Sequence, residues 1–206
     1  MPRLLLVRHG LTGDNSSRRF SGHTDTGLSA DGIRQVESLR DRLVEEKIDA
    51  VFSSDLKRAM LTAEIISSGH EVEIASCTEL REMNYGVAEG LTFEEIGLHH
   101  PELAESIRNF SLDLGFPGGE NFRGFIDRTC RFMDRLKEQE QDQTILIVSH
   151  SGALRTLVCD LLDLEQENWR KFRLDNASLS IISTYSRRAI VSLLNDTSHL
   201  KRGVGD

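Results

Sequence analysis

The chain has 206 residues, with 25 Lys and Arg against 33 Asp and Glu, a formal net charge of −8. Hydrophobic residues make up 38% and charged residues 28%, a balance that fits a single globular domain over residues 1–206 and excludes a disordered chain or a coiled coil. The acidic surplus excludes a broad polyanion-binding face, so neither nucleic acid nor an anionic membrane is expected as a partner, while a small local cationic pocket stays open.

The three cysteines, Cys77, Cys130 and Cys159, are odd in number and show no CxxC spacing. They read as reduced thiols of a cytoplasmic protein, not as a disulfide framework or a zinc site. After Met1-Pro2-Arg3 the apolar run covers only residues 4–7, too short for a signal-peptide core or a membrane span.

That run, 4–7, has the pattern of a strand buried on both faces. A Gly- and Ser-rich stretch follows over 10–27. Ser29 is placed to cap a helix with Ile33, Val36, Leu39, Leu43 and Val44 at helical spacing. A second buried strand is predicted over 48–52. Ser54 or Asp55 caps the next helix, which aligns Leu56, Ala59, Met60, Ala63 and Ile66. A third strand is expected over 72–74, and 80–90 reads as a loop. Thr92 caps a short helix and a second follows Pro101. The three glycines and one proline of 115–119 make a turn. Phe122, Phe125, Ile126, Thr129, Met133 and Leu136 mark a longer amphipathic helix. Residues 145–148 form another buried strand, and Leu154, Leu157, Val158 and Leu161 mark the helix after it. Two β-rich segments, 178–184 and 189–194, are joined by a hairpin turn at 186–188. The alternation predicts an α/β fold: three layers, α/β/α, with a mainly parallel sheet, an antiparallel edge strand and a small helical lid over 91–116.

In such sheets function gathers at the carboxyl ends of the strands. Two apolar strands end alike, one running into Arg8-His9-Gly10 and the other into Ser149-His150-Ser151-Gly152. A third leads through Ser53-Ser54-Asp55 to Arg58. Two His and two Arg therefore converge on one edge. A neutral imidazole is a nucleophile toward phosphorus. Guanidinium groups suit the charge spread over three oxygens of a phosphoryl group in transfer. A leaving alkoxide needs a proton from a carboxylic acid, for which Glu79, Glu82 and Glu89 are candidates. His23, in the loop before the first helix, is a further candidate for substrate contact. His99 and His100 adjoin and point apart on a helix, so they make a poor metal pair. His70 and His199 are expected at the surface, and Trp169 in or near the core.

With these residues in view, Leu6-Val7-Arg8-His9-Gly10-Leu11-Thr12 with Asn15 resembles the opening signature of the histidine phosphatase, or phosphoglycerate mutase-like, superfamily. Gly22-His23-Thr24-Asp25 with Leu28 and Gly32 resembles its phosphate-loop region. Ser53-Ser54-Asp55-Leu56-Lys57-Arg58-Ala59 with Thr62-Ala63 resembles its second Arg motif. Leu80-Arg81-Glu82 with Gly86, Glu89 and Gly90 resembles its acid loop. Pro117-Gly118-Gly119-Glu120 and Val148-Ser149-His150 resemble two further motifs, all in the family's order. The resemblance implies a phosphomonoester hydrolase with His9 as nucleophile. It implies that Arg8, Arg58 and His150 hold the phosphoryl oxygens, with Asn15, Ser21 and Gly22 as further substrate-binding positions. It makes Glu82 the acid that protonates the leaving alcohol and then activates water. It implies a small phosphorylated substrate, no metal and no organic cofactor, and leaves a homodimer open.

Mutases of this family carry a long insertion after the acid loop. Only 26 residues, 91–116, separate Gly90 from Pro117 here, which favours hydrolysis over phosphoryl transfer to a second substrate. The pattern including Arg19-Phe20-Ser21-Gly22 is most similar to bacterial α-ribazole-5′-phosphate phosphatases of cobalamin synthesis. Ala88 departs from it, standing where many relatives have an aromatic residue. Phe20, Tyr85, Phe110 and Phe116 are candidates for an aromatic rim around a benzimidazole. Phosphoserine, sugar phosphates, phosphoglycerate isomerisation and a non-catalytic phosphate-binding module are the alternatives.

Overall fold

The computed structural model describes residues 2–137, 142–185 and 188–200. Strands β1 (Arg3–Arg8), β2 (Ala50–Ser54), β3 (Ile74–Cys77), β4 (Thr144–Ser149), β5 (Leu179–Tyr185) and β6 (Arg188–Asp196) form one sheet in the order β3-β2-β4-β1-β5-β6. β1 to β4 pair in parallel; β5 runs antiparallel to β1, and β6 antiparallel to β5. The antiparallel edge is therefore two strands wide.

The strand period of two sorts the apolar run of β1 onto both faces. Leu5 and Val7 pack with Val36, Leu39 and Leu43 of α2 (Ala30–Leu43) and with Ala59, Ala63 and Ile66 of α3 (Lys57–Ser67). Leu4 and Leu6 join the opposite cluster with Phe132 and Leu136 of α6 (Phe122–Lys137) and Leu154, Leu157 and Val158 of α7 (Ser151–Leu161). These two clusters are the interfaces of the expected three layers. Two short helices, α4 (Phe93–His99) and α5 (Pro101–Arg108), occupy the segment read as a lid. Ile96, Leu103, Ala104, Leu114 and Phe116 give it a separate core against Phe122 and Phe125.

The differences from expectation have local causes. The second strand lies further along than 48–52 because Ser53 and Ser54, polar yet fully buried, continue it. The third is Ile74–Cys77 instead of 72–74, paired with β2 from Val51 and Ile74 onward. Inside the Gly- and Ser-rich stretch, Thr12 caps a one-turn helix, α1 (Gly13–Ser16), through a reciprocal pair with Asn15. Ser29 and Thr92 cap their helices as expected. Neither Ser54 nor Asp55 is the N-cap of α3: that residue is Leu56. Asp25 accepts the Lys57 backbone N–H at 2.8 Å, and Asp55 instead pairs with Arg81. His199 is half-buried against the Ala177 carbonyl, contrary to the surface placement. Of the expected hairpin turn, residues 186 and 187 lie outside the described residues, and Arg188 opens β6. Among the described residues no helix is long and apolar enough to cross a membrane.

Candidate active site

β1 and β4 are neighbours in register, Val7 beside Val148 and Arg8 beside Ser149. The residues after each strand therefore emerge side by side. The His9 backbone N–H donates to the Ser149 carbonyl at 3.0 Å, and the His9 and His150 ring centroids lie 5.0 Å apart. β2 flanks β4 on the other side, which brings Ser54 to His150. α2 packs on one face of the sheet and α7, which follows β4, on the other. A crevice opens between them at the carboxyl ends, as expected for open α/β sheets.

Hydrogen bonding assigns both imidazole tautomers. The His9 Nδ1 lies 2.8 Å from the Gly10 carbonyl oxygen, which only accepts, so Nδ1 carries the proton and Nε2 keeps its lone pair. The His150 Nδ1 accepts the Arg58 Nε–H at 3.2 Å, so its Nε2–H donates to Ser54 Oγ at 2.9 Å. Burial, then the charges of Arg8 and Arg58, hold His9 well below its ordinary pKa. Burial, then Arg58, does the same for His150. Both rings are neutral near pH 7.

Arg58 is 1% exposed. Its Nη1 donates to the Thr24 carbonyl at 2.8 Å, and its Nη2 to the carbonyls of Gly22 at 2.7 Å and Ser21 at 3.3 Å. One guanidinium thus ties the 21–24 loop to His150 across the sheet edge. Arg8 donates from Nη1 to the Leu174 carbonyl at 2.8 Å, while its buried Nε has no partner.

Glu82 is 7% exposed. Its Oε1 accepts the Met83 backbone N–H at 3.0 Å and its Oε2 that of Gly152 at 2.9 Å. A Cβ on Gly152 would stand 2.3 Å from Glu82 Oε1, so only glycine at that position lets the carboxylate lie against the start of α7. Arg128 holds the loop from behind. It donates to the carbonyls of Glu79 at 2.9 Å, Arg81 at 3.0 Å and Glu82 at 3.1 Å, and pairs with Glu120. Glu89 is a scaffold anion: it accepts the backbone N–H groups of Gly22, His23, Thr24 and Tyr85. Burial pushes its carboxyl up, but the Thr24 hydroxyl, donating at 2.6 Å, and these backbone bonds outweigh burial and hold it below the usual range. Glu79 pairs with Arg135.

A cavity of about 390 Å³ is lined by Arg8, His9, Asn15, Ser21 and Glu82 among others. Asn15 Oδ1 accepts from the Thr12 backbone and from Asn176 Nδ2, and the Ser21 hydroxyl is buried without a partner. Arg58, His150 and Gly22 stand outside that lining; the Gly22 N–H and carbonyl are taken by Glu89 and Arg58. His23 does not line it either. Phe20 and Tyr85 do, and with Phe116 and Glu82 they also line a smaller cavity of about 80 Å³ beside it; Phe110 lines neither and packs on the lid core. Trp169 joins that core against Phe122, ring centroids 5.0 Å apart. Sequence reasoning missed Asn176, which donates to the His9 carbonyl at 3.1 Å, and the clamp on the acid loop. The Arg128 to Glu120 spacing, eight residues across a turn, carries no readable signal.

Residues 4–197 match the model of the histidine phosphatase superfamily, branch 1. Phosphoserine phosphatase 1 of Hydrogenobacter thermophilus is 32% identical over 97% of this chain and 95% of its own. An adenosylcobalamin/alpha-ribazole phosphatase of Escherichia coli is 35% identical over 94% of this chain and 95% of its own. The crystal structure of an alpha-ribazole phosphatase from Shigella flexneri superimposes with a TM-score of 0.90 at 34% identity, covering 95% of this chain and 96% of that one.

Arg58→Lys keeps the charge and loses the fork that spans three carbonyls and an imidazole. It is expected to lower phosphatase kcat/KM by about 10²- to 10³-fold, the range for losing one preorganised donor. A Lys variant within threefold of wild type, measured on an aryl phosphate, would contradict this account of the loop.

Proposed function

The chain belongs to the histidine phosphatase superfamily and is a phosphomonoester hydrolase of small phosphorylated metabolites; from that premise we propose that its turnover runs through a phosphohistidine on His9 without a metal ion. The observation that carries this reading is the fixed tautomer of His9, a neutral ring with its Nε2 lone pair free in a cavity shared with Glu82. In the first step Nε2 forms the P–N bond as the P–O ester bond breaks, and Glu82 gives its proton to the leaving oxygen. In the second a water attacks phosphorus, Glu82 takes the water's proton, the P–N bond breaks and phosphate leaves. The unpartnered Arg8 Nε, the Asn15 amide and the Ser21 hydroxyl hold the phosphoryl oxygens. Among the described residues Arg58 keeps one free Nη1 hydrogen for the same task. His150 acts through Arg58 and Ser54 and supplies a neutral wall beside the nucleophile.

Hydrolysis over transfer is supported by the lid, two short helices that pack on their own core. The relatives name two substrates as candidates, α-ribazole 5′-phosphate and phosphoserine. A cytoplasmic setting is supported by the three free cysteines.

With divalent metals chelated, the wild type is expected to hydrolyse an aryl phosphate and His9→Ala to lose roughly 10³-fold or more of kcat. Activity that needs added Mg²⁺, or persists in the variant, would overturn the mechanism. Glu82→Gln is expected to slow alkyl phosphates by about 10²- to 10⁴-fold, the usual reach of general acid catalysis. Aryl phosphates, whose leaving groups need little protonation, should slow far less; equal slowing of both would assign the acid elsewhere.

A further inference from the structure

Arg18 has no place in the mechanism above. It follows Ser17, the C-cap of α1, with a left-handed backbone at φ 55°. Glycine usually takes that position, because a Cβ there is crowded by its own backbone. Among the described residues Asp142, Asp163, Ala177 and Asn195 share the conformation without being glycine, and none of them lines the catalytic cavity. Arg18 does line it. Strain held at a cavity wall points to a side chain that supplies what glycine cannot.

What Arg18 supplies is an uncommitted positive charge. Its side chain is exposed and yet part of the cavity lining, which places it at the mouth. The other charged residues of that lining are Arg8, Arg19 and Glu82. Arg8 is tied to the Leu174 carbonyl. Arg19 is held by Glu95 and the Gly90 carbonyl, both at 2.6 Å. Glu82 accepts two backbone N–H groups. Among the described residues the Arg18 guanidinium makes no ion pair and no hydrogen bond. The chain as a whole carries −8, so a doubly negative phosphate group approaches against the field of the protein. A free cation at the mouth reverses that field where the anion enters.

We propose that Arg18 is a rim cation that captures the phosphate dianion at the mouth of the cavity and delivers it to Arg8 and Asn15 below. This inference rests on the proposed function, because it takes the cavity as the place that receives the phosphate group. The pull of Arg18 is that of a point charge in water, modest and screened by salt. The sheltered donors beneath it are screened far less, so salt separates the two contributions.

The test is calorimetric binding of inorganic phosphate at ionic strengths of about 0.01 M and about 1 M, where the screening length is roughly 30 Å and 3 Å. Arg18→Gly is expected to weaken binding about fivefold at low salt, the upper end for an exposed ion pair, and to match the wild type at high salt. It is expected to melt at least as high as the wild type, since relief of the left-handed backbone offsets the freedom glycine adds to the unfolded chain. Arg18→Lys is expected to keep most of the affinity, because a point charge serves as well as a fork here. On an aryl phosphate the loss in Arg18→Gly should fall on KM and not on kcat. A change below twofold at low salt, a loss of equal size at both ionic strengths, or a lysine variant no better than glycine would overturn the proposal. Phosphate binding that depends on Arg18 in this way, in a protein that hydrolyses no ester without added metal, would uphold the rim cation and overturn the phosphohistidine mechanism instead.

Discussion

The buried guanidinium of Arg58 is the constraint on which both fold and site depend. It is nearly fully desolvated, so its five N–H donors need acceptors, and four find them among the described residues. Three are carbonyls of the 21–24 loop and the fourth is the Nδ1 of His150. That single group orders a loop with no regular structure and fixes the His150 tautomer. Its charge adds to burial and to Arg8 in holding the His9 pKa down. Arg128 repeats the device on the acid loop, satisfying carbonyls of 78–82 with one side chain. Each of the two loops that carry chemistry is held by an arginine rooted in a helix.

The net charge of −8 and the cationic site fit together on this view. The acidic residues are largely exposed or committed to loop carbonyls' neighbours, as Glu89 is to four backbone N–H groups. Arg8, Arg58 and Arg155 are held in desolvated positions whose burial weighs against their charge. At long range the surface disfavours large polyanions, and at short range the cavity meets one phosphate group with unscreened donors.

Much of this was legible in the residues. Strands buried on both faces announce themselves as apolar runs, and each delivered its His to the expected edge. The cap at Ser29 and the pair of lid helices follow from local spacing. What was not legible depends on partners distant in sequence. Asp25 replaces Ser54 and Asp55 at the start of α3 because a loop 32 residues earlier folds over it. β2 runs on through Ser53 and Ser54 because sheet pairing satisfies their backbone, the Ser54 carbonyl takes the Ser53 hydroxyl and His150 meets the Ser54 hydroxyl, none of which hydrophobic patterning registers. Of the four residues expected to bind phosphate, Arg8 and Asn15 line the cavity, and Arg58 and His150 are not among its lining residues.

The account turns on one nitrogen. The Gly10 carbonyl holds the proton on His9 Nδ1 and leaves Nε2 to attack phosphorus. Rapid quench into alkali during turnover, followed by ³¹P and ¹⁵N NMR of the modified protein, identifies the atom that carries the phosphoryl group. The prediction is phosphorus on Nε2 of His9 and nowhere else. Phosphorus on Nδ1 of His9, or on any other residue, would contradict it.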